Sequence, residues 1–169
     1  MIGLAAASLA ACQSRPKPGP APAVPPPTTA PPETMPSAPP PVSEGPLPGS
    51  AQDFVINAGD RVYFDFDSYE LRDDARPVLD AQSAWLQRYT GVLVRIEGNA
   101  DERGTREYNL ALGARRSNSV RDYLVSRGIA ASRIATVSYG KEQPIDPGTS
   151  EDAYQRNRNA HTAITSGAR

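Results

Sequence analysis

Two opposite charges fifteen residues apart, Asp101 and Arg116, are the side chains of this sequence best suited to hold a ligand. Between them stand Asn109 and Leu112. Asn109, Leu112 and Arg116 fall at i, i+3 and i+7, so a helix carries them on one face, over about 10.5 Å of its axis. That face has to continue an apolar stripe, so an asparagine and an arginine on it border the core and need partners. Two uses are open to such a pair of charges. They can bond to each other, a common structural arrangement. Alternatively they hold a zwitterion, with Asp101 accepting from an ammonium and Arg116 forking onto a carboxylate. A free D-amino-acid centre presents both charges on one carbon. Asp101 and Glu102 also raise the possibility of a glycosidase. Hydrolysis needs two carboxyls facing each other across the bond, about 5 to 9.5 Å apart, and neighbours in one turn usually point apart. No activated nucleophile or metal cluster accompanies them. The single histidine, His161, reads as an ordinary strand residue, and the single cysteine, Cys12, excludes an intrachain disulfide and a cysteine-rich metal site. No cofactor is implied, and a binding protein rather than an enzyme is expected.

These side chains need a scaffold. Arg61–Asp67 alternates, with Val62, Phe64 and Phe66 on one side, and predicts a half-buried strand. Val78, Leu79, Trp85, Leu86 and Tyr89 recur at helical spacing over residues 73–89, with Pro77 in an early turn and Gly91 as the stop. Val92–Ile96 reads as a second strand, and the polar turn Gly98–Gly104 leads into a long helix over 106–127. The apolar stripe of that helix is Tyr108, Leu112, Val120, Tyr123 and Leu124, and Gly128 closes it. Ile134–Tyr139 and Ala160–Ile164 are the last two strands, separated by a polar stretch with two prolines. The order β-α-β-α-β-(α)-β predicts an α+β fold: a mixed four-stranded sheet with helices packed on one face.

The amino-terminal third is different in kind. Fifteen of the 18 prolines precede residue 49. Such a segment buries too little apolar surface to offset the entropy of ordering, and its Pro-Pro runs favour extended polyproline II. At about 3.1 Å per residue it reaches roughly 120 Å when stretched. Ahead of it, Ile2–Ala11 is apolar or small but too short to cross a bilayer as a helix, which takes about 20 residues. It suits a secretory signal, and Leu9-Ala10-Ala11-Cys12 resembles the cleavage and lipidation site of bacterial lipoproteins. Three acyl chains on Cys12 would hold essentially permanently, since each buried CH₂ contributes about 0.8 kcal/mol. In the lipoproteins this resembles, an aspartate after the cysteine often marks retention at the inner membrane; Gln13 stands there, so the outer membrane is expected. No Lys or Arg precedes the apolar run, which suggests a start upstream. The expected organisation is a signal peptide over 1–11, a lipidated cysteine and linker over 12–51, and a domain over 52–169. With 18 basic and 19 acidic residues, the chain has no cationic surplus for a phosphate backbone, so nucleic acid is not an expected partner.

The segment Ala100-Asp101-Glu102-Arg103-Gly104-Thr105, followed by Glu107-Tyr108-Asn109 and Leu112-Gly113-Ala114-Arg115-Arg116, is similar to the signature of the peptidoglycan-associated lipoproteins, within the family of outer membrane protein A C-terminal-like domains. Ser138-Tyr139-Gly140-Lys141-Glu142 and Pro144 match that pattern too, and the resemblance covers about Val62–Ile164. It implies non-covalent binding of the meso-diaminopimelate residue of the peptidoglycan stem, a lipid anchor in the outer membrane with the domain facing the periplasm, and partnership with the Tol system, chiefly TolB. Carried over by position, the family's key charges fall on Asp101 and Arg116, its supporting asparagine on Asn109 and its apolar contact on Leu112. Asp65, Arg103 and Arg158 complete the implied site. Two positions depart from the pattern: Asn99 where histidine is common, and Asn159 where a second arginine usually follows Asn157-Arg158.

Overall fold

The computed structural model describes residue 19 and residues 45–169. The signal segment over 1–11, Cys12 and, residue 19 apart, the linker up to residue 44 lie outside the described residues.

The first helix, α1 (Ala51–Ala58), is an element that hydrophobic periodicity did not reveal. Local chemistry starts it. The Ser50 side chain accepts from the backbone N–H of Asp53 at 3.1 Å, while Asp53 reaches back to accept from the N–H of Gly49 at 2.8 Å. This resembles a capping box, except that the return bond comes from Gly49, the residue before the N-cap, while the N–H of Ser50 itself goes to the Leu47 carbonyl. Asp53 also accepts from Trp85 Nε1 at 2.8 Å, tying α1 to the next helix, and Phe54 packs edge-on against the same indole. These bonds hold the Asp53 carboxyl below the usual range, the Gly49 N–H foremost.

Strand β1 (Arg61–Tyr63) is shorter than expected. Val62 and Phe64 are buried, and the Phe64 N–H still bonds to the Arg158 carbonyl at 2.8 Å. Phe66, however, is 60% exposed. The alternation fails because the chain leaves the sheet into a loop and turns at Asp67, whose φ of 54° lies in the left-handed region that aspartate tolerates better than most residues. Helix α2 (Ala75–Arg88), strand β2 (Leu93–Asn99), helix α3 (Arg106–Ser126) and strand β3 (Ile134–Gly140) come next, as the patterns predict. The polar stretch contains a short helix, α4 (Glu151–Asn157), and β4 (Asn159–Ser166) ends the fold.

The four strands form one mixed sheet in the order β1-β4-β2-β3, with β2 and β3 parallel and the other pairs antiparallel. Phe54, Val62, Phe64, Leu79, Leu86, Val94, Ile96, Val120 and Leu124 fill the core between the sheet and the helices. Helix α3 crosses from β2 to β3 and rests directly on the strand end. A Cβ on Gly98 would lie 1.8 Å from the Gly113 carbonyl oxygen, so only glycine permits this contact. The β2–β3 register then slips, with Gly98 opposite Ser138 but Asn99 opposite Gly140. Irregularities of this kind bend a strand and re-aim its side chains. Here the slip leads the chain from Asn99 into the loop that bears Asp101.

Candidate functional site

A cavity of about 170 Å³ opens where four segments converge. The β1–α2 loop contributes Phe66 and Asp67; the β2–α3 loop contributes Asp101, Arg103 and Gly104; α3 contributes Tyr108, Asn109, Leu112 and Arg116; and the α4–β4 corner contributes Arg158. The loop between β2 and α3 is pinned on every side. Lys141 Nζ donates to the carbonyls of Glu102 (3.1 Å) and Gly104 (2.7 Å). Asn109 Nδ2 donates to the Arg103 carbonyl at 2.9 Å. The Thr105 hydroxyl caps α3 by accepting from the Tyr108 N–H at 3.2 Å.

Asp101 and Arg116 do not bond to each other. Asp101, 5% exposed, accepts from Arg103 Nη2 at 2.7 Å, from Arg158 Nη1 at 3.1 Å and from the Arg103 backbone N–H at 3.2 Å. Burial pushes its carboxyl up, but the bonds from Arg103 and Arg158 outweigh burial and leave it below the usual carboxylate range. Arg158 is itself 4% exposed and also meets Glu151 at 2.8 Å. The Arg103 guanidinium lies between two rings, with its centre 4.2 Å from the Phe66 centroid and 4.6 Å from that of Tyr154.

Arg116 is fully buried. Nε donates to the Ser68 carbonyl at 2.8 Å, Nη1 to the Asn99 carbonyl at 2.8 Å and Nη2 to the Asp65 carbonyl at 3.1 Å, and the guanidinium sits 5.1 Å from the Phe64 ring centroid. Among the described residues it forms no ion pair. Burial pushes its pKa down to about 10. A cation kept charged at neutral pH, desolvated and without a counter-anion is costly. Its hydrogen-bond partners are carbonyls only, while Asp101 and Asp67, which line the same cavity, act on it through space without bonding to it.

Of the residues expected at the site, Asp101, Arg103, Asn109, Leu112, Arg116 and Arg158 meet at one cavity. Asp65 does not: its side chain is 70% exposed and pairs with Arg72 at 3.1 Å, and only its carbonyl reaches Arg116. Asp67, two residues on, lines the cavity instead and accepts a hydrogen bond from the Tyr108 hydroxyl. Alternation could not separate the two aspartates, because the strand ends before either. Tyr108, expected in the apolar stripe, is 45% exposed at the cavity rim for the same reason that Asn109 is buried: the first turn of α3 faces the site, not the core. The two departures from the family pattern touch each other, Asn99 Nδ2 donating to Asn159 Oδ1 at 3.1 Å.

The two carboxylates that a glycosidase would need do not face each other across this cavity. Glu102 does not line it and instead accepts from the Tyr154 hydroxyl at 2.8 Å. Asp101 is engaged by two guanidiniums and holds its proton poorly, the opposite of a general acid. His161 lies on the sheet with Nδ1 2.9 Å from Glu97 Oε2 and Nε2 3.2 Å from Asp60 Oδ2. No cluster of His, Cys, Asp and Glu suited to a metal ion occurs among the described residues.

The OmpA family model matches residues 63–158, the span that contains the whole cavity. The chain belongs to the OmpA family. As an OmpA-family member it is 54% identical over 117 residues to the peptidoglycan-associated lipoprotein of Rhizobium meliloti, a match covering 69% of this chain and 66% of that one. The same identity holds over 118 residues with the peptidoglycan-associated lipoprotein of Mesorhizobium japonicum, covering 70% of each. The chain thus spans about two thirds of the length of these relatives. Among solved structures, this OmpA-family chain is similar to the peptidoglycan-associated lipoprotein of Burkholderia pseudomallei, with 40% identity, a TM-score of 0.61 and coverage of 63% of this chain and 90% of that one. The C-terminal domain of Helicobacter pylori MotB shares the fold at 20% identity and a TM-score of 0.59, over 63% of this chain and 84% of that one.

Proposed function

We propose that this chain ties the outer membrane to the cell wall, and that its cavity holds the meso-diaminopimelate residue of the peptidoglycan stem without chemical change. The observation that carries the reading is Arg116: a buried guanidinium, without an ion-pair partner among the described residues, beside an open cavity whose other wall is a carboxylate. Three of its five N–H groups are used by carbonyls, which leaves one on each terminal nitrogen, the number a bidentate carboxylate takes up. Asp101 Oδ1 receives only a backbone N–H and keeps capacity for an ammonium. The relatives from Rhizobium meliloti, Mesorhizobium japonicum and Burkholderia pseudomallei are named peptidoglycan-associated lipoproteins, which supports peptidoglycan as the target.

In this reading Cys12 carries the lipid, the Pro-rich segment is the spacer to the wall, and TolB and other Tol proteins are the expected partners. No helix among the described residues is long and apolar enough to cross a membrane. The test is cosedimentation with purified peptidoglycan. The chain pellets with the wall, and free meso-diaminopimelate releases it. Pelleting that is insensitive to the free amino acid would count against the site. In cell fractionation, Cys12→Ser moves the protein from the outer membrane to the soluble periplasm; continued membrane retention would contradict the anchor.

A further inference from the structure

Behind the cavity, and not lining it, a single amide joins its two walls. Asn159 opens β4 and is completely buried. Its Oδ1 accepts from Arg61 Nη1 at 2.8 Å and from Asn99 Nδ2 at 3.1 Å. Its Nδ2 donates to the carbonyls of Arg156 at 2.8 Å and Asn157 at 3.1 Å. Both lone pairs and both N–H groups of the amide are therefore used.

The two sides of this amide lead to different guanidiniums. On the acceptor side, Asn99 belongs to the end of β2, and its carbonyl is the buried seat of Arg116 Nη1. The Asn99 side chain is held by its Nδ2 alone, through Asn159 and a longer bond of 3.3 Å to the Glu97 carbonyl, because its Oδ1 finds no partner. On the donor side, the Arg156 and Asn157 carbonyls are the last of α4, and the next residue is Arg158, which reaches Asp101. One side chain thus fixes the strand end that seats Arg116 to the corner that carries Arg158. No other polar group of this size serves both: a carboxylate can only accept, and an apolar side chain breaks all four bonds, two of them buried.

We infer that Asn159 is a positioning residue for ligand binding, setting the relative placement of Arg116 and Arg158 across the cavity. The inference rests on the cavity being the stem-binding site proposed above. Its test uses the full chain in detergent, with calorimetric titration of free meso-diaminopimelate and the side-chain Nε–H resonances of Arg116 and Arg158 in ¹⁵N-labelled protein. Asn159→Ala weakens binding by about tenfold or more, as expected for loss of a hydrogen-bonded support, and moves both Nε resonances. Asn159→Asp keeps the two acceptor contacts and loses both donations, so it moves the Arg158 resonance while largely sparing that of Arg116. Ser83→Ala, which removes a buried bond to the Leu79 carbonyl on α2, lowers stability but changes neither affinity nor resonances. Asn159 variants that bind like the parent chain with unmoved resonances would overturn the inference. Should Asn159→Ala fail to fold, Asn159→Asp decides. Failure of the unsubstituted chain to bind meso-diaminopimelate would instead remove the ligand assignment, and the resonances would still report whether Asn159 sets the two arginines.

Discussion

Replacing Arg116 by methionine separates a ligand-binding cation from a structural strut. The guanidinium is fully buried, and burial depresses its pKa to about 10, an unfavourable term of about 3 kcal/mol that methionine abolishes. Against this stand three carbonyls that lose a donor. Those of Asp65 and Ser68 sit in the partly exposed β1–α2 loop and regain water, whereas the Asn99 carbonyl is left buried, at a cost of about 1 to 3 kcal/mol. The terms nearly cancel. Arg116→Met therefore folds with a thermal midpoint within about 5 °C of the parent. Binding behaves differently. Losing two charge-assisted hydrogen bonds to a carboxylate costs about 3 kcal/mol or more, so affinity for meso-diaminopimelate falls at least about a hundredfold. Differential scanning calorimetry and titration calorimetry on the same preparation read both quantities. A variant that loses much of its stability, or that binds with little change, would refute the view that this cation is kept for a ligand.

Asp101→Asn leaves Glu151 as the remaining ion-pair partner of both Arg103 and Arg158, and lowers stability by about 3 kcal/mol at neutral pH, read as a urea midpoint. Because the folded-state pKa of Asp101 is lowered, its contribution is complete above the unfolded carboxylate range and is lost as pH falls through the folded value. The gap between parent and variant should thus close in strong acid. Asp65→Ala leaves cosedimentation with peptidoglycan unchanged, because its side chain points to solvent and Arg72, whereas Asp67→Ala weakens it. Gly98→Ala drives a Cβ into the Gly113 carbonyl and destabilises by about 3 kcal/mol, seen as an earlier urea transition by circular dichroism.

Much of the site can be read before folding because one helix face carries it. Asn109, Leu112 and Arg116 fall on that face by spacing alone, and the buried surface of α3 mixes polar Asn109 and Arg116 with Leu112 before becoming apolar at Val120 and Leu124. What spacing cannot supply is tertiary. The partners of Asp101, Arg103 two residues on and Arg158 57 residues on, are chosen by the β2–α3 loop and the α4–β4 corner. The exchange of Asp65 for Asp67 depends on where β1 stops, which is set by the turn at Asp67 rather than by alternation. Helix α1 is hard to read in advance because it is only eight residues long and directly follows a Pro-rich stretch; Ser50, Asp53 and the distant Trp85 define it. The contact between Asn99 and Asn159, 60 residues apart, is invisible until β2 and β4 lie side by side.

The most direct measurement compares two stereoisomers of one small zwitterion. Calorimetric titration of the chain with meso-diaminopimelate should give saturable one-to-one binding, abolished in Arg116→Met and Asp101→Asn, while LL-diaminopimelate, which lacks a D-centre, should give none. Equal binding of both isomers, or heat from neither in a chain that still pellets with peptidoglycan, would contradict recognition of a single D-configured carbon by Asp101 and Arg116.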